Sequence, residues 1–373
     1  MSGLIVNEWI EPAGGAERVL DRLALLFPDT DMLCLWNDAP ERFGDRTVRE
    51  TWLARTPLRG RKALSLPFMP ITWRIPRQIH HDWVLVSSHA FAHHVRVEGD
   101  APKYIYAHTP ARYLWAPELD ARGDNLAAKI AGPPLRAIDR ASAQNATSIA
   151  ANSRFVAERI ERSWGRTATV IHPPVDVTGI ASGAWRDLLT DDEKRTLDAL
   201  PADFVLGLSR FIPYKRLDTV IEIGERLGQP IVIGGFGPLE GALRAQAHDA
   251  RVPVTFVVRP SDAMVAALMD RAMLFVFPPV EDFGIVAVEA MASGTPVMAN
   301  RQGGASDSVV DGVSGALFDP HSAAEAAAAA ALCASIPPEG IVAHARQFDA
   351  TKFDAALTNW MSPHISLSDS HSA

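Results

Sequence analysis

Short apolar or β-branched runs recur at residues 4–6, 32–36, 83–87, 104–107, 148–151 and 169–171, and again at 204–208, 231–234, 254–258, 274–277 and 296–299. Helix-length segments lie between most of them. Runs that are apolar at nearly every position belong to strands covered on both faces, and the intervening helices are the crossovers that parallel strands require. The pattern predicts an α/β chain. Its 373 residues suffice for two domains. The strand pattern stops between residues 177 and 201, where TGIASGAWRDLLTDDEKRTLDALP is polar, glycine-containing and bounded by prolines, so the hinge between domains is expected there. Two Rossmann-like sheets in tandem bind ligands beyond the C-terminal ends of their strands, and functional residues should therefore follow strands.

Apolar residues make up 47% of the chain and charged residues 21%, enough for real cores and against global disorder. No run of about 18 uncharged apolar residues occurs, and the opening MSGLIVNEWIEP lacks the basic region and apolar core of a secretory signal. A cytoplasmic protein is expected. Cys34 and Cys333 are far apart in apolar settings and read as buried free thiols.

The net charge of −8 hides an asymmetry. Residues 1–180 carry 22 Lys/Arg against 20 Asp/Glu, and the remainder 14 against 24. Residues 51–81 contain Arg55, Arg59, Arg61, Lys62, Arg74 and Arg77 and no acid, interleaved with Trp52, Phe68, Met69, Ile71 and Trp73. Such a loop suits the anionic inner face of a membrane as a peripheral contact; an ordinary solvated loop with core anchors reads the same way. Nucleic acid is not an expected partner, because the chain is acidic and carries no recognisable binding motif.

The most informative stretch is FPPVEDFGIVAVEAMASGTPV, residues 277–297. It follows a buried strand, sets Glu281 in a turn and starts a helix near Gly284 that carries Glu289. The backbone N–H groups of Phe283, Gly284, Ile285 and Val286 would point out of the helix end, where the dipole favours an anion. Glu281 and Glu289 are then candidates for hydroxyl binding, against the plainer alternatives of a dipole-favoured first-turn acid and a surface acid. SRFIPYKR, residues 209–216, follows another strand, and Arg210 and Lys215 straddle a Pro213 turn so that both cations can converge on one diphosphate. Two exposed helix-entry charges would look alike.

GGAER places Gly14 and Gly15 between the first strand and a helix, as a close backbone approach to a ligand or a plain tight turn. YIYAHTPARYLW brings His108, Arg112 and Trp115 to one strand end, a set suited to a sugar ring. Weaker signals are Asp29-Thr30-Asp31, read as a loop more than a metal site, and Gly235-Phe236-Gly237-Pro238, expected to open a helix with Pro at its first position. Ser322 and Glu325 fit a capping box, and Phe348, Phe353, Leu357 and Trp360 an apolar stripe on a last helix.

On GGAERVL, LPFMP with SSHAFA, YAHTPARYLW, ANSRFVAERI, VIHPPVDV, SRFIPYKR, GGFGP, EDFGIVAVEAMASGTPV and GGASDSVVDGVSGALF, the chain resembles the retaining glycosyltransferases of family 4, mannosyltransferase-like branch. The resemblance covers nearly the whole chain. It implies the GT-B arrangement, two Rossmann-like domains with parallel sheets facing across a cleft: an acceptor-side domain over 1–180, a nucleotide-sugar domain over 181–345, a crossover helix over 346–361 returning to the first domain, and a frayed tail over 362–373. It further implies that Glu289 binds the ribose, that Arg210 and Lys215 bind the diphosphate, and that Glu281 with Phe283 and Gly284 holds the donor sugar. His108 would sit by the anomeric carbon, and Gly14 and Gly15 would close over the phosphates. Val258 and Arg259 would border the base, where Val258 departs from a common Gly. No metal or other cofactor is expected.

The activity this implies is transfer of a hexosyl group, mannose from GDP-mannose favoured, to a hydroxyl of a glycan or lipid-linked acceptor in polysaccharide or glycolipid biosynthesis. A nucleotide-sugar epimerase, a phosphorylase, or a catalytically silent partner of another transferase would share the fold.

Overall fold

A computed structural model describes residues 2–75, 80–96, 99–117 and 126–363, with backbone alone for 126–130. Arg77 of the basic segment and residues 364–373 of the expected tail lie outside the described residues. The chain divides into two compact units, Met1–Pro174 with Thr351–Ala373, and Val175–Ala350.

The first unit is built on a seven-stranded sheet: β1 (Gly3–Asn7), β2 (Asp31–Cys34), β3 (Val48–Glu50), β4 (Trp83–Ser88), β5 (Lys103–Ala107), β6 (Ser148–Ala151) and β7 (Thr169–Val170), in the order β3-β2-β1-β4-β5-β6-β7. Every pairing is parallel. Side chains alternate between two cores, one on each face. Leu4, Val6, Val84, Val86 and Ile105 enter one core, while Ile5, Trp83, Leu85, Tyr104 and Tyr106 enter the other. This is why the strand runs carry no polar alternation.

The second unit holds β8 (Val205–Arg210), β9 (Ile231–Phe236), β10 (Val254–Val258), β11 (Leu274–Phe277), β12 (Val297–Asn300) and β13 (Gly315–Phe318), in the order β10-β9-β8-β11-β12-β13. It too is parallel and buried on both faces, with Leu206, Phe275 and Phe277 on one side and Val205, Leu274 and Val276 on the other. Both sheets have the doubly wound order expected of the GT-B fold. The sequence patterns missed β3 and β13. Both are edge strands; β3 is Val-Arg-Glu, charged and largely exposed, and β13 opens with Gly and Ala, residues depleted in strands, so neither shows an apolar run.

Several expectations are corrected. Residues 177–201 are not a hinge: Val177, Leu189 and Leu200 are buried in the second core, and Thr190 forms a full capping box with Glu193 at the head of the Asp191–Asp198 helix. The units divide instead between Pro174 and Val175, ahead of the expected 180/181, because Val175 bridges to Asp349 and accepts from the Ala350 N–H. The chain returns to the first unit after Ala350, past the expected 345/346. Phe348 stays behind in the second core, edge-on to Phe283. The last helix, Ala350–Met361, inserts Phe353, Leu357 and Met361 into the core of the first unit; its Met361 carbonyl accepts from Tyr104 Oη at 3.1 Å and its Trp360 indole donates to Ser148 Oγ at 2.8 Å. Only half of the Ser322 capping box forms, since the Glu325 carboxylate turns to the Asp319 N–H and to Arg301. Pro238 precedes its helix, which starts at Glu240.

Candidate functional site

In the second sheet the chain runs outward from β8 through β9 to β10, then crosses back to lay β11 on the other side of β8. Loops leaving β8 and β11 diverge to opposite faces, and the crevice between them is where sheets of this kind hold ligands. β8 ends at Arg210. The buried Phe211 anchors the next turn, and Pro213 opens a short 3-10 turn, Pro213–Lys215. From the other side, the loop after Phe277 presents Glu281. The Lys215 ammonium and the Glu281 carboxylate form an ion pair across this point, with side chains only 13% and 15% exposed.

Around that pair the backbone is shaped by glycine. Gly303, at φ 105°, lies flat against Glu281: a Cβ there would stand 2.9 Å from the Glu281 carbonyl. The Gly304 N–H donates to that same carbonyl at 2.7 Å, and Asn300 Nδ2 donates to Pro278 O at 2.9 Å. The loop carrying Glu281 is thus fixed by the loop after β12. Gly237 similarly lets the turn after β9 pass over the Phe211 backbone, where a Cβ would fall 2.6 Å from its carbonyl.

Arg210 is exposed and donates to Tyr214 Oη at 3.2 Å, and Lys215 Nζ sits 5.2 Å from the Tyr214 ring. The tyrosine therefore joins the two cations that the spacing paired. The Ile285–Ala292 helix starts as expected, with Gly284 at its N-cap in positive φ and no side-chain cap. Ile285 and Val286 occupy its first turn, where backbone N–H groups have no intrahelical acceptor. Glu289 is half-buried, while Ala287, Val288, Ala290 and Met291 lock the helix to the core. Phe283 is buried at the loop end.

At the far strand end Val258 is exposed, and Arg259 stacks on the exposed Phe236 ring at 4.2 Å while donating its N–H to Gly235 O at 3.0 Å. Arg259 takes φ 54°, unusual for a non-glycine residue. Along the C-terminal edge the order is Arg259, Phe236, Arg210 with Lys215, then Glu281, set by strands about 4.8 Å apart. Tyr214, Phe236 and the Gly303–Gly304 pair were missed as site residues. The aromatics gave no pattern; the Gly-Gly dipeptide after a strand was the available signal.

In the first unit the order of strands reverses between β1 and β4. Glu8 follows β1, fully buried, accepting from the Ala90 and Ala92 N–H groups at 2.8 and 2.6 Å; burial raises its pKa above the ordinary carboxylate range despite those bonds. His108, at the end of β5, holds Ser87 Oγ at 2.9 Å through Nε2. Gly14 caps the Gly15–Leu26 helix, and a Cβ at Gly14 would collide with the buried Glu17 carboxylate. Arg112 is half-buried.

Trp115 is not left open for stacking. Its indole donates to Asp139 Oδ2 at 2.7 Å, and the guanidinium groups of Arg136 and Arg140 lie over its ring at 5.7 and 5.5 Å. The same buried Asp139 receives the Trp164 indole at 2.7 Å and has His94 and His93 Nε2 at 2.9 and 3.2 Å. Burial would raise the Asp139 pKa, but the facing histidines outweigh it and hold the carboxyl below its usual range. Asp31 opens β2 and pairs with Arg49. Cys34 and Cys333 are buried free thiols, the latter pushed up to about 12 by burial.

Residues 13–178 match the model of Glycosyltransferase Family 4, and residues 190–339 that of Glycosyl transferases group 1. Each half of the chain thus matches a glycosyltransferase domain model, and the two doubly wound parallel sheets are those of a GT-B fold. Among their relatives, the D-inositol 3-phosphate glycosyltransferase of Mycolicibacterium smegmatis is 32% identical over 205 residues, 51% of this chain and 46% of that one. The alpha-1,3/1,6-mannosyltransferase alg-2 of Neurospora crassa is 28% identical over 220 residues, 48% of this chain and 46% of that one. The matched stretch thus spans about half the length of these curated relatives. Among solved structures, Anabaena Alr3699/HepE in complex with UDP superposes with a TM-score of 0.70 at 18% identity, covering 97% of this chain and all of that one. The sucrose-phosphate synthase of Thermosynechococcus elongatus gives 0.68 at 16% identity, covering 97% and 99%. At such identities the likeness is one of fold.

Among the described residues no single helix is long and apolar enough to cross a membrane. The bent pair Ala323–Cys333 and Pro338–Phe348 passes by composition, yet both members pack into the second unit's cores.

Proposed function

We propose that this chain is a retaining hexosyltransferase that moves a sugar, mannose favoured, from a nucleoside diphosphate to a hydroxyl of a glycan or lipid-linked acceptor, serving cell-surface polysaccharide or glycolipid synthesis. The observation that carries the reading is the half-buried Lys215–Glu281 pair at the strand reversal of the second sheet. A cation and a carboxylate held together in that crevice match a donor whose diphosphate is anionic and whose sugar presents hydroxyls. When the glycosidic bond to the diphosphate breaks, negative charge grows on the leaving oxygens, and Lys215 and Arg210 are the groups that would meet it. Glu281 would accept hydrogen bonds from hydroxyls of the sugar, and Glu289 from those of the ribose. Backbone N–H groups from Phe283 to Val286 would complete the anion end, and Val258 with Arg259 would border the base.

In this reading the acceptor hydroxyl attacks from the face the diphosphate leaves, and a departing phosphate oxygen takes its proton, so configuration is kept. Charge stabilisation comes from side chains and amides, and no metal is required. His108, Gly14, Gly15, Arg112 and Trp115 are the first unit's candidates, His108 for the anomeric centre and Arg112 and Trp115 on the acceptor side, although Trp115 is the weakest of them given its commitment to Asp139. The mannosyl donor rests on the motif resemblance and on the alg-2 relative; the nucleotide class is supported by the UDP complex of the Anabaena neighbour.

Calorimetric titration of GDP, UDP and ADP against the full chain tests the reading. Binding of one of them at micromolar affinity, weakened in Lys215→Ala, is expected, and GDP is favoured. No binding of any of the three would overturn it. Turnover of the matching sugar nucleotide with acceptor, unchanged by a chelator and giving a product of the donor's own anomeric configuration, would separate it from an epimerase, which needs no acceptor, and from a phosphorylase, which needs free phosphate.

A further inference from the structure

Residues 62–75 form two short helical pieces, Lys62–Ser65 and Met69–Arg74, joined by a turn whose N–H groups continue the helical bonding. Ser65, Met69, Thr72 and Trp73 face inward and are buried, with Met69 and Trp73 in a core of the first unit. The opposite face reads Leu64, Phe68, Ile71 and Ile75, a 4-3-4 spacing that keeps one side of a helix. These four side chains are 57%, 42%, 63% and 42% exposed. Trp52, 42% exposed, stands edge-on to Phe68 with ring centroids 6.5 Å apart. A surface helix ordinarily turns charge to water on that side; a helix apolar on both sides has a second apolar neighbour.

The cations around the stripe indicate which neighbour. Arg59 is spent on Asp38 and Glu50, and Lys62 on Glu11. Arg55 and Arg61 are exposed and Arg74 half-buried, and among the described residues none of the three has a carboxylate partner. No acidic residue occurs from 51 to 81. The patch is therefore cationic on a chain of net charge −8, so the attraction it offers is local.

We propose that this face docks on an anionic lipid surface, with Trp52, Leu64, Phe68, Ile71 and Ile75 entering the acyl boundary and Arg55, Arg61 and Arg74 meeting lipid phosphates. A second copy of the chain fits less well, because a two-fold contact on this face would bring its uncompensated arginines close to one another. A polynucleotide would leave the aliphatic stripe unused. The inference extends the lipid-linked acceptor of the proposed function and rests on it only for what the surface delivers.

Co-sedimentation of the full chain with vesicles of phosphatidylcholine, alone or mixed with phosphatidylglycerol, needs neither donor nor acceptor, so its outcome is separate from that of nucleotide titration. Binding to the anionic vesicles about 10-fold or more above the neutral ones is expected, and it should fall with added salt. Arg55→Glu with Arg61→Glu should abolish the anionic preference, and Phe68→Ser with Ile71→Ser should weaken binding to anionic vesicles by about 10-fold. All four positions are exposed, and unchanged thermal midpoints and nucleotide affinity would show that the variants fold. Absence of vesicle binding, equal binding by wild type and both variants, or a wild-type dimer that the serine variant dissociates while vesicles bind neither, would overturn the proposal.

Discussion

Lys215 and Glu281 satisfy each other in a crevice with little water, so a ligand there must supply groups at least as good for both. A diphosphate offers anionic oxygens to the ammonium, and a sugar offers hydroxyl donors to the carboxylate. Removing a preorganised donor from a site of developing charge costs about 10²–10³ in rate. Lys215→Ala is accordingly expected to lower turnover by about that factor while the chain stays folded, measured as donor consumption in a purified transfer assay. A different residue contributes to the response to acid. Burial, assisted by the charge on His93, holds the His94 imidazole at about 4 against an ordinary 6.5. The unfolded chain takes up that proton near pH 6.5 and the folded chain only near 4, so the stabilisation is whole above the first value and drains as pH falls toward the second. The loss amounts to about 3 kcal/mol. Thermal midpoints recorded from pH 7 to 4 should show it, and His94→Gln, which keeps an N–H for Asp139 without the titration, should flatten the slope. The histidine pair was visible in the sequence only as HH; that an aspartate 45 positions away faces it depends on how the 126–143 helix lies on the unit.

At the scale of elements, the motif from 277 to 297 was legible because its chemistry is local: an apolar strand, a turn acid, a glycine at a helix start. The support of that turn was not, since Gly303 and Gly304 come from the following βα connection and are informative only once β12 lies beside β11. Gly303→Ala should therefore act on an element other than its own. Its Cβ meets the Glu281 backbone and its φ of 105° disfavours any side chain. A destabilisation of about 1–3 kcal/mol, seen in denaturant melts, is expected together with weaker nucleotide binding in the calorimeter. An unaltered melt would contradict the packing described for that loop. Elsewhere the edge strands β3 and β13 are not legible because one is charged and the other opens with Gly and Ala, and the reciprocal cap that Ser322 suggests is lost because Glu325 turns to Asp319 and Arg301.

For the whole molecule, the two units have separate cores, and the chain passes between them twice, beside the Val175–Asp349 bridge. The last helix belongs to the first unit through Phe353, Leu357 and Met361. Leu357→Ala should cost the first unit about 2–5 kcal/mol, read as faster hydrogen exchange in β1, β4 and β5, while nucleotide affinity stays at the wild-type value. What depends on neighbours along the chain can be read from the order of residues: apolar runs long enough to be buried strands, the helices that must connect them in parallel, and the charged and glycine residues that follow strand ends. What depends on neighbours in space came with folding. It set the order of strands and hence which two loops flank the crevice, the pairing of Lys215 with Glu281, and the commitment of Trp115 to Asp139. It also placed residues 177–201 inside the second unit, because burial of Val177, Leu189 and Leu200 outweighs a local composition that reads as linker.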